Sequence, residues 1–197
     1  MKLLMKKFKR KKNNNISDRV RNINYSSIRK NFATGLKNGL INATIGQPDF
    51  DVPVTIKEQA KLYIDNGHNK YTETRGILPL RQAISKYLIQ RGVNRGSDEI
   101  IATSGTTSAI FMVIFSIINH GDEVIIFEPY FVAYPEIVNM LGGKAIILKT
   151  DKNFQPNIES IQKAITKKTK LIILNSPNNP TGAVYSESII KEVVKIA

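Results

Sequence analysis

The chain has 197 residues, 42% hydrophobic and 23% charged, a composition that builds a soluble core and excludes a disordered or fibrous chain. With no cysteine there is no disulfide framework, thiolate metal site or thiol nucleophile, and two scattered histidines, His68 and His120, do not make a zinc cluster. The net charge of +13 is local: residues 1–30 hold 11 Lys/Arg against Asp18 alone, leaving 18 basic and 15 acidic residues beyond.

Residues 1–15, Met1-Lys2-Leu3-Leu4-Met5-Lys6-Lys7-Phe8-Lys9-Arg10-Lys11-Lys12-Asn13-Asn14-Asn15, have no apolar core of secretory length and no small-residue cleavage site. They are read as a disordered basic tail on a cytoplasmic protein, and no stretch approaches the roughly 20 apolar residues of a membrane span. Next, Ile28, Phe32 and Leu36 at i, i+4, i+8 predict an amphipathic helix over 26–37, followed by a short strand over 40–45. Pro48-Asp49-Phe50-Asp51-Val52-Pro53 is a turn that opens a helix running to about Asp65, where Asn66-Gly67 ends it. A second helix over 76–90 presents Leu80, Ala83/Ile84 and Tyr87/Leu88, and Arg91-Gly92 closes it.

From there the period changes. Short β-branched runs at 99–102, 123–127, 144–148 and 171–174 alternate with helical patterns at 106–118, 132–141 and 157–166. Strand, helix, strand in repetition predicts the α/β class, with a largely parallel sheet and crossover helices. Residues 108–118 are apolar nearly all round, which predicts a helix covered on both sides. A last amphipathic helix begins at Glu187 and carries no stop signal up to Ala197, so the chain is expected to stop inside an element.

In an open α/β sheet the ligand site lies beyond the carboxyl ends of the strands. Three segments occupy such positions. Thr103-Ser104-Gly105-Thr106-Thr107-Ser108 feeds a helix N-terminus, where free N–H groups, hydroxyls and the helix dipole suit a phosphate; the plain alternative is an ordinary helix cap. Glu128-Pro129-Tyr130-Phe131-Val132-Ala133-Tyr134 brings aromatics to a strand end, where Phe131 or Tyr130 offers a flat face for a ring, although aromatics more often serve the core. Asn175-Ser176-Pro177-Asn178-Asn179-Pro180-Thr181-Gly182 is a rigid turn whose amides give or accept hydrogen bonds at fixed positions.

Asn-Asn-Pro-Thr-Gly after an apolar strand is accompanied by Gly46-Gln47-Pro48-Asp49-Phe50, by Lys70-Tyr71-Thr72 with Gly76, and by Gly121-Asp122-Glu123-Val124 before Glu128-Pro129-Tyr130. Together these motifs resemble the class I/II aminotransferases, pyridoxal-phosphate enzymes of the aspartate aminotransferase fold, over about residues 16–197 in unbroken order. The resemblance implies a three-layer α/β/α fold. It divides the chain into the tail 1–15, an arm and small-domain segment 16–50, and an incomplete large cofactor-binding domain 51–197.

It also implies roles for single residues. Gly46 matches the glycine whose backbone meets the substrate carboxylate, and Tyr71 the tyrosine that reaches the partner's cofactor phosphate in a homodimer. Gly105, Thr106 and Thr107 match the phosphate cradle, Phe131 the aromatic stacked on the pyridine ring, and Asn179 the asparagine bonded to the ring hydroxyl. The implied cofactor is pyridoxal 5'-phosphate; the implied substrates are an amino acid, aspartate-like by default, and a 2-oxo acid. Phe131 stands where a Trp is common, which leaves substrate preference open.

In relatives the Schiff-base lysine, the aspartate at the pyridine nitrogen and two arginines follow the Asn-Pro-Thr-Gly segment, beyond the last residue here. The chain is therefore expected to be a truncated aminotransferase, inactive alone and complemented by a carboxyl-terminal half. Lys163 has Ser-x-x-Lys spacing but lies in a polar helix, where it is expected to be solvated, and no residue is assigned a catalytic role. Asp49, Asp51, Asp122 and Glu128 are expected to cap helices or line turns. The competing expectations are another pyridoxal-phosphate enzyme of the fold (lyase, decarboxylase or synthase), a dead remnant with exposed apolar faces, and a polyanion binder acting through the tail. The body offers no reading helix for specific nucleic-acid recognition.

Overall fold

A computed structural model of the chain describes residues 17–21, 23, 46 and 48–197. The predicted helix 26–37, strand 40–45 and tail 1–15 lie outside those residues. Described residues before 27 and from Ile110 onward form one compact unit, and those from 46 to Ala109 form another.

The first unit is built on strand β1 (Glu123–Glu128), flanked in parallel by β2 (Lys144–Lys149) and β3 (Thr169–Ile173) in the order β2-β1-β3. Glu123 faces Lys144 on one side and Thr169 on the other, with one irregularity between Glu123 and Val124 on the β3 side. Val124, Ile125, Ile126 and Phe127 are all at most 3% exposed, as a central parallel strand covered on both faces demands. Alternation sorts these four side chains. Val124 and Ile126 pack with Ile114 of helix α4 (Thr106–Ile117) and with Tyr134, Ile137 and Val138 of helix α5 (Ala133–Met140). Ile125 and Phe127 pack on the other side with Ile161 of helix α6 (Ile158–Ala164) and Val193 of helix α7 (Glu187–Ile196). The result is the expected three-layer α/β/α arrangement, and two of its helices are capped at their N-termini: Asn157 Oδ1 accepts from Ser160 N at 2.8 Å, and Ser186 Oγ from Ile189 N at 3.3 Å. A one-turn helix α1 (Asp18–Arg21) also belongs to this unit.

The second unit contains helix α2 (Val54–Asp65), helix α3 (Leu78–Ile89) and a 3₁₀ turn at Ser97–Glu99. Its central polar contact is Arg81, 3% exposed, whose Nε donates to Gly76 O (2.9 Å), Nη1 to Ser97 O (2.9 Å) and Nη2 to Glu73 Oε2 (2.8 Å).

Three expectations are corrected. Residues 99–102 are not a strand: no ladder forms there, and Ala102 N donates instead to Arg75 O at 2.9 Å. Ile100 and Ile101 favour extended backbone, but their neighbour is a loop, and Gly76 approaches so closely that a Cβ on it would lie 2.9 Å from Ala102 Cβ. Second, α4 is covered on one face only. Ile114 is buried, whereas Met112, Val113 and Phe115 are 51–66% exposed, because no described element packs over them. The helix over 76–90 likewise turns Leu80 and Tyr87 outward and buries Arg81 instead.

Candidate functional site

The carboxyl ends of β1 and β3 are adjacent, and each leads into a loop that the sequence singles out. After β1, Glu128 O accepts from Thr150 Oγ1 at 2.8 Å, which anchors the turn to the end of β2. Tyr130 and Phe131 are half-buried, and the Phe131 ring meets Tyr134 edge-on, with centroids 5.6 Å apart and planes at 79°. Phe131 thus has a fixed orientation while part of its surface stays open.

After β3 the backbone is held by its own asparagines. Asn175 Oδ1 accepts from Asn179 N (2.8 Å), and Asn175 Nδ2 donates to Pro177 O (3.1 Å). Asn178 N donates to Ala183 O (2.8 Å), and Gly182 N donates back to Asn178 O (2.7 Å). The exposed carboxamide of Asn179 makes no hydrogen bond among the described residues, so its donors and acceptor are free for a ligand. Asn178 is the opposite case: it is 5% exposed, and Nδ2 donates both to Pro129 O and to Thr181 Oγ1, each at 3.0 Å. Sequence reasoning passed over Asn178. Nothing in two consecutive asparagines tells which one turns inward.

Beneath these loops Tyr134 and Tyr185 are buried, and desolvation raises both phenols above their ordinary value, Tyr185 further through the charge of Tyr134. Both therefore stay protonated over the physiological range. Asp122 Oδ2 accepts from Asn119 N (2.7 Å), and Asp51 Oδ1 from Val52 N (2.7 Å), as turn-lining carboxylates do. Lys163 is exposed and paired with Glu159 at 2.6 Å, a solvated helix-surface pair as expected.

In the second unit Gly105 has φ +86°, the left-handed geometry that lets the chain turn into α4. Thr103 Oγ1 donates to Gly105 O (3.1 Å) and Ser108 Oγ to Ser104 O (3.0 Å), so these two hydroxyls are spent internally. Thr106 and Thr107 are exposed; among the described residues nothing accepts from their N–H groups or from that of Ser108. Gly46 has φ +66° with no atom near its missing Cβ, so backbone geometry rather than crowding calls for glycine. Tyr71 is fully exposed on the loop between α2 and α3, beside Asn69, Lys70 and Thr72.

These features fit pyridoxal phosphate piece by piece. Unpaired N–H groups and free hydroxyls at a helix N-terminus suit a phosphate dianion, a half-open Phe131 suits a flat ring, and an unused carboxamide suits a ring oxygen.

Comparison with known proteins gives the same direction. The family model "Aminotransferase class I and II" matches residues 38–197. A probable aspartate aminotransferase of Methanocaldococcus jannaschii is 42% identical over 183 residues, which cover 92% of this chain and 48% of that protein. The aspartate/prephenate aminotransferase of Thermus thermophilus is 39% identical over 161 residues, covering 80% and 42%. Among solved structures, aspartate aminotransferase from Thermus thermophilus with maleate superposes with a TM-score of 0.87 at 36% identity, covering 92% of this chain and 50% of that one. The aspartate aminotransferase of Thermotoga maritima gives 0.85 at 35% identity, covering 92% and 51%. The chain spans about half the length of the curated relatives it matches.

Proposed function

The chain belongs to the class I and II aminotransferase family, whose members depend on pyridoxal phosphate, and on that premise we propose that it forms the cofactor face of an aminotransferase. The reaction moves an amino group between an amino acid and a 2-oxo acid; aspartate is the first choice because the similar proteins bear that name. When bound, the cofactor supplies an electron sink for the carbon that carries the amino group.

The residues of this chain bind and orient. The N–H groups of Thr106, Thr107 and Ser108, with the turn at Gly105, hold the phosphate at the positive end of α4. Phe131 lies against the ring and Asn179 bonds its hydroxyl. Gly46 presents its backbone to the substrate carboxylate, and Tyr71 extends to the phosphate bound by a second copy in a cytoplasmic homodimer. No proton-transfer role is assigned here, since Lys163 is solvated and ion-paired. The chain spans about half the length of the relatives it matches, and amino transfer is expected to require the half it does not cover.

The observation that carries the proposal is the free Asn179 carboxamide, held on a rigid loop at the strand ends next to the loop of Phe131. Titration of the 197-residue chain with pyridoxal 5'-phosphate, followed by absorbance and induced circular dichroism, is expected to saturate. Asn179→Ala and Phe131→Ala are expected to weaken binding about tenfold each, and Lys163→Ala to leave it unchanged. Absence of saturable binding would sink the proposal. Amino transfer from aspartate to 2-oxoglutarate is then assayed for the chain alone and mixed with the carboxyl-terminal half of the Thermus thermophilus relative.

A further inference from the structure

We infer that Asn178 is a positioning residue: its buried carboxamide ties the loop after β3 to the loop after β1 and thereby sets Phe131 against Asn179. The inference deepens the cofactor-face reading and rests on it for its consequence, though the tie itself is a property of the fold. Both hydrogens of Nδ2 are committed, one to Pro129 O across 49 residues of chain and one to Thr181 Oγ1 within its own loop. Pro129 O accepts no other hydrogen bond among the described residues, and Asn178 is 5% exposed, so water does not readily replace the lost donor. The two ends of this link have distinct neighbours. Phe131 lies two residues beyond Pro129, and Asn179, whose own N–H is fixed by Asn175, follows Asn178 directly. A single buried amide therefore connects the residue proposed to stack on the ring with the residue proposed to bond its oxygen, while touching neither the ring nor the substrate.

Asn178→Asp keeps the size of the side chain and removes both donors; Thr181→Val removes only the acceptor inside the β3 loop. Amide exchange of the chain without cofactor is read by mass spectrometry in segments 129–134, 175–183 and 123–128. Asn178→Asp is expected to accelerate exchange about tenfold in both loop segments and not in 123–128, whereas Thr181→Val is expected to affect 175–183 alone. Pyridoxal 5'-phosphate is expected to bind Asn178→Asp about tenfold more weakly, with the induced circular dichroism of the bound cofactor reduced, and Thr181→Val near wild type. Acceleration confined to 175–183, or the same pattern for both variants, overturns the inference. So does unchanged cofactor affinity and dichroism in Asn178→Asp. If the wild-type chain binds no pyridoxal 5'-phosphate while the exchange pattern appears as expected, the tie stands and the cofactor-face proposal falls.

Discussion

Arg81 occupies a position on α3 where the helical pattern calls for an apolar side chain, and its guanidinium replaces packing with a fork of hydrogen bonds. Its three contacts join the loop at Glu73 and Gly76 to the turn at Ser97–Glu99, from which the chain runs on to Gly105 and Thr106. Glu73 is largely exposed, so loss of its partner returns it to water, but the carbonyls of Gly76 and Ser97 lose a donor. Arg81→Met is expected to cost roughly 2–4 kcal/mol in urea unfolding, and Arg81→Lys to recover less than half, because an ammonium does not reproduce the planar fork. Tyr134 and Tyr185 carry a pH consequence. Their folded values lie above the unfolded value of 10.0, so the unfolded state releases their protons first as pH rises. Their contribution is complete below about pH 10 and is lost as pH climbs from there through the folded values. Stability of the wild type measured between pH 8 and about pH 11 is expected to fall more steeply than that of the Tyr134→Phe/Tyr185→Phe pair.

Among the elements, β1 concentrates the core. Its residues from Val124 to Phe127 are buried from both layers, whereas β2 presents Ile147 with 37% of its surface exposed. Ile125→Ala is therefore expected to cost about 2–5 kcal/mol, and Ile147→Ala less than half as much, in the same denaturant titration. Comparable losses would mean that the outer strand is covered in solution. The strands and helices from 123 onward are legible in the sequence because apolar runs of four residues, as at 124–127, 145–148 and 171–174, alternate with helical periods that bear their own caps, such as Asn157 and Ser186. The segment 99–102 reads as a strand because β propensity is local, whereas a strand needs a partner, and here the neighbour is a loop that Arg81 holds at Gly76 O.

At the scale of the whole molecule, the first unit closes its two layers over the sheet, but among the described residues nothing packs over Met112, Val113 and Phe115 of α4. Phe111 and Phe115 stack on each other with ring centroids 6.0 Å apart, and Phe115 is 66% exposed. An apolar face of that kind binds hydrophobic dyes. The chain is expected to enhance anilinonaphthalene sulfonate fluorescence, and Phe115→Ser to reduce it with stability changed by no more than about 0.5 kcal/mol. Dye binding unaffected by Phe115→Ser would place the open apolar surface elsewhere. No helix among the described residues is long and apolar enough to cross a membrane.

The sequence by itself determined the α/β class, the order of elements from β1 onward and the strand-end loops that hold Phe131 and Asn179. Each of these depends on near-neighbour periodicity, on proline, glycine and asparagine chemistry, and on the rule that ligands meet parallel sheets at their carboxyl ends. Tertiary structure alone decided that Asn178 turns inward and Asn179 outward, that Arg81 is buried where Leu80 is not, and that α4 is covered on a single face. Those choices rest on partners far along the chain, as when Pro129 O meets a donor 49 residues away, and periodicity carries no record of them.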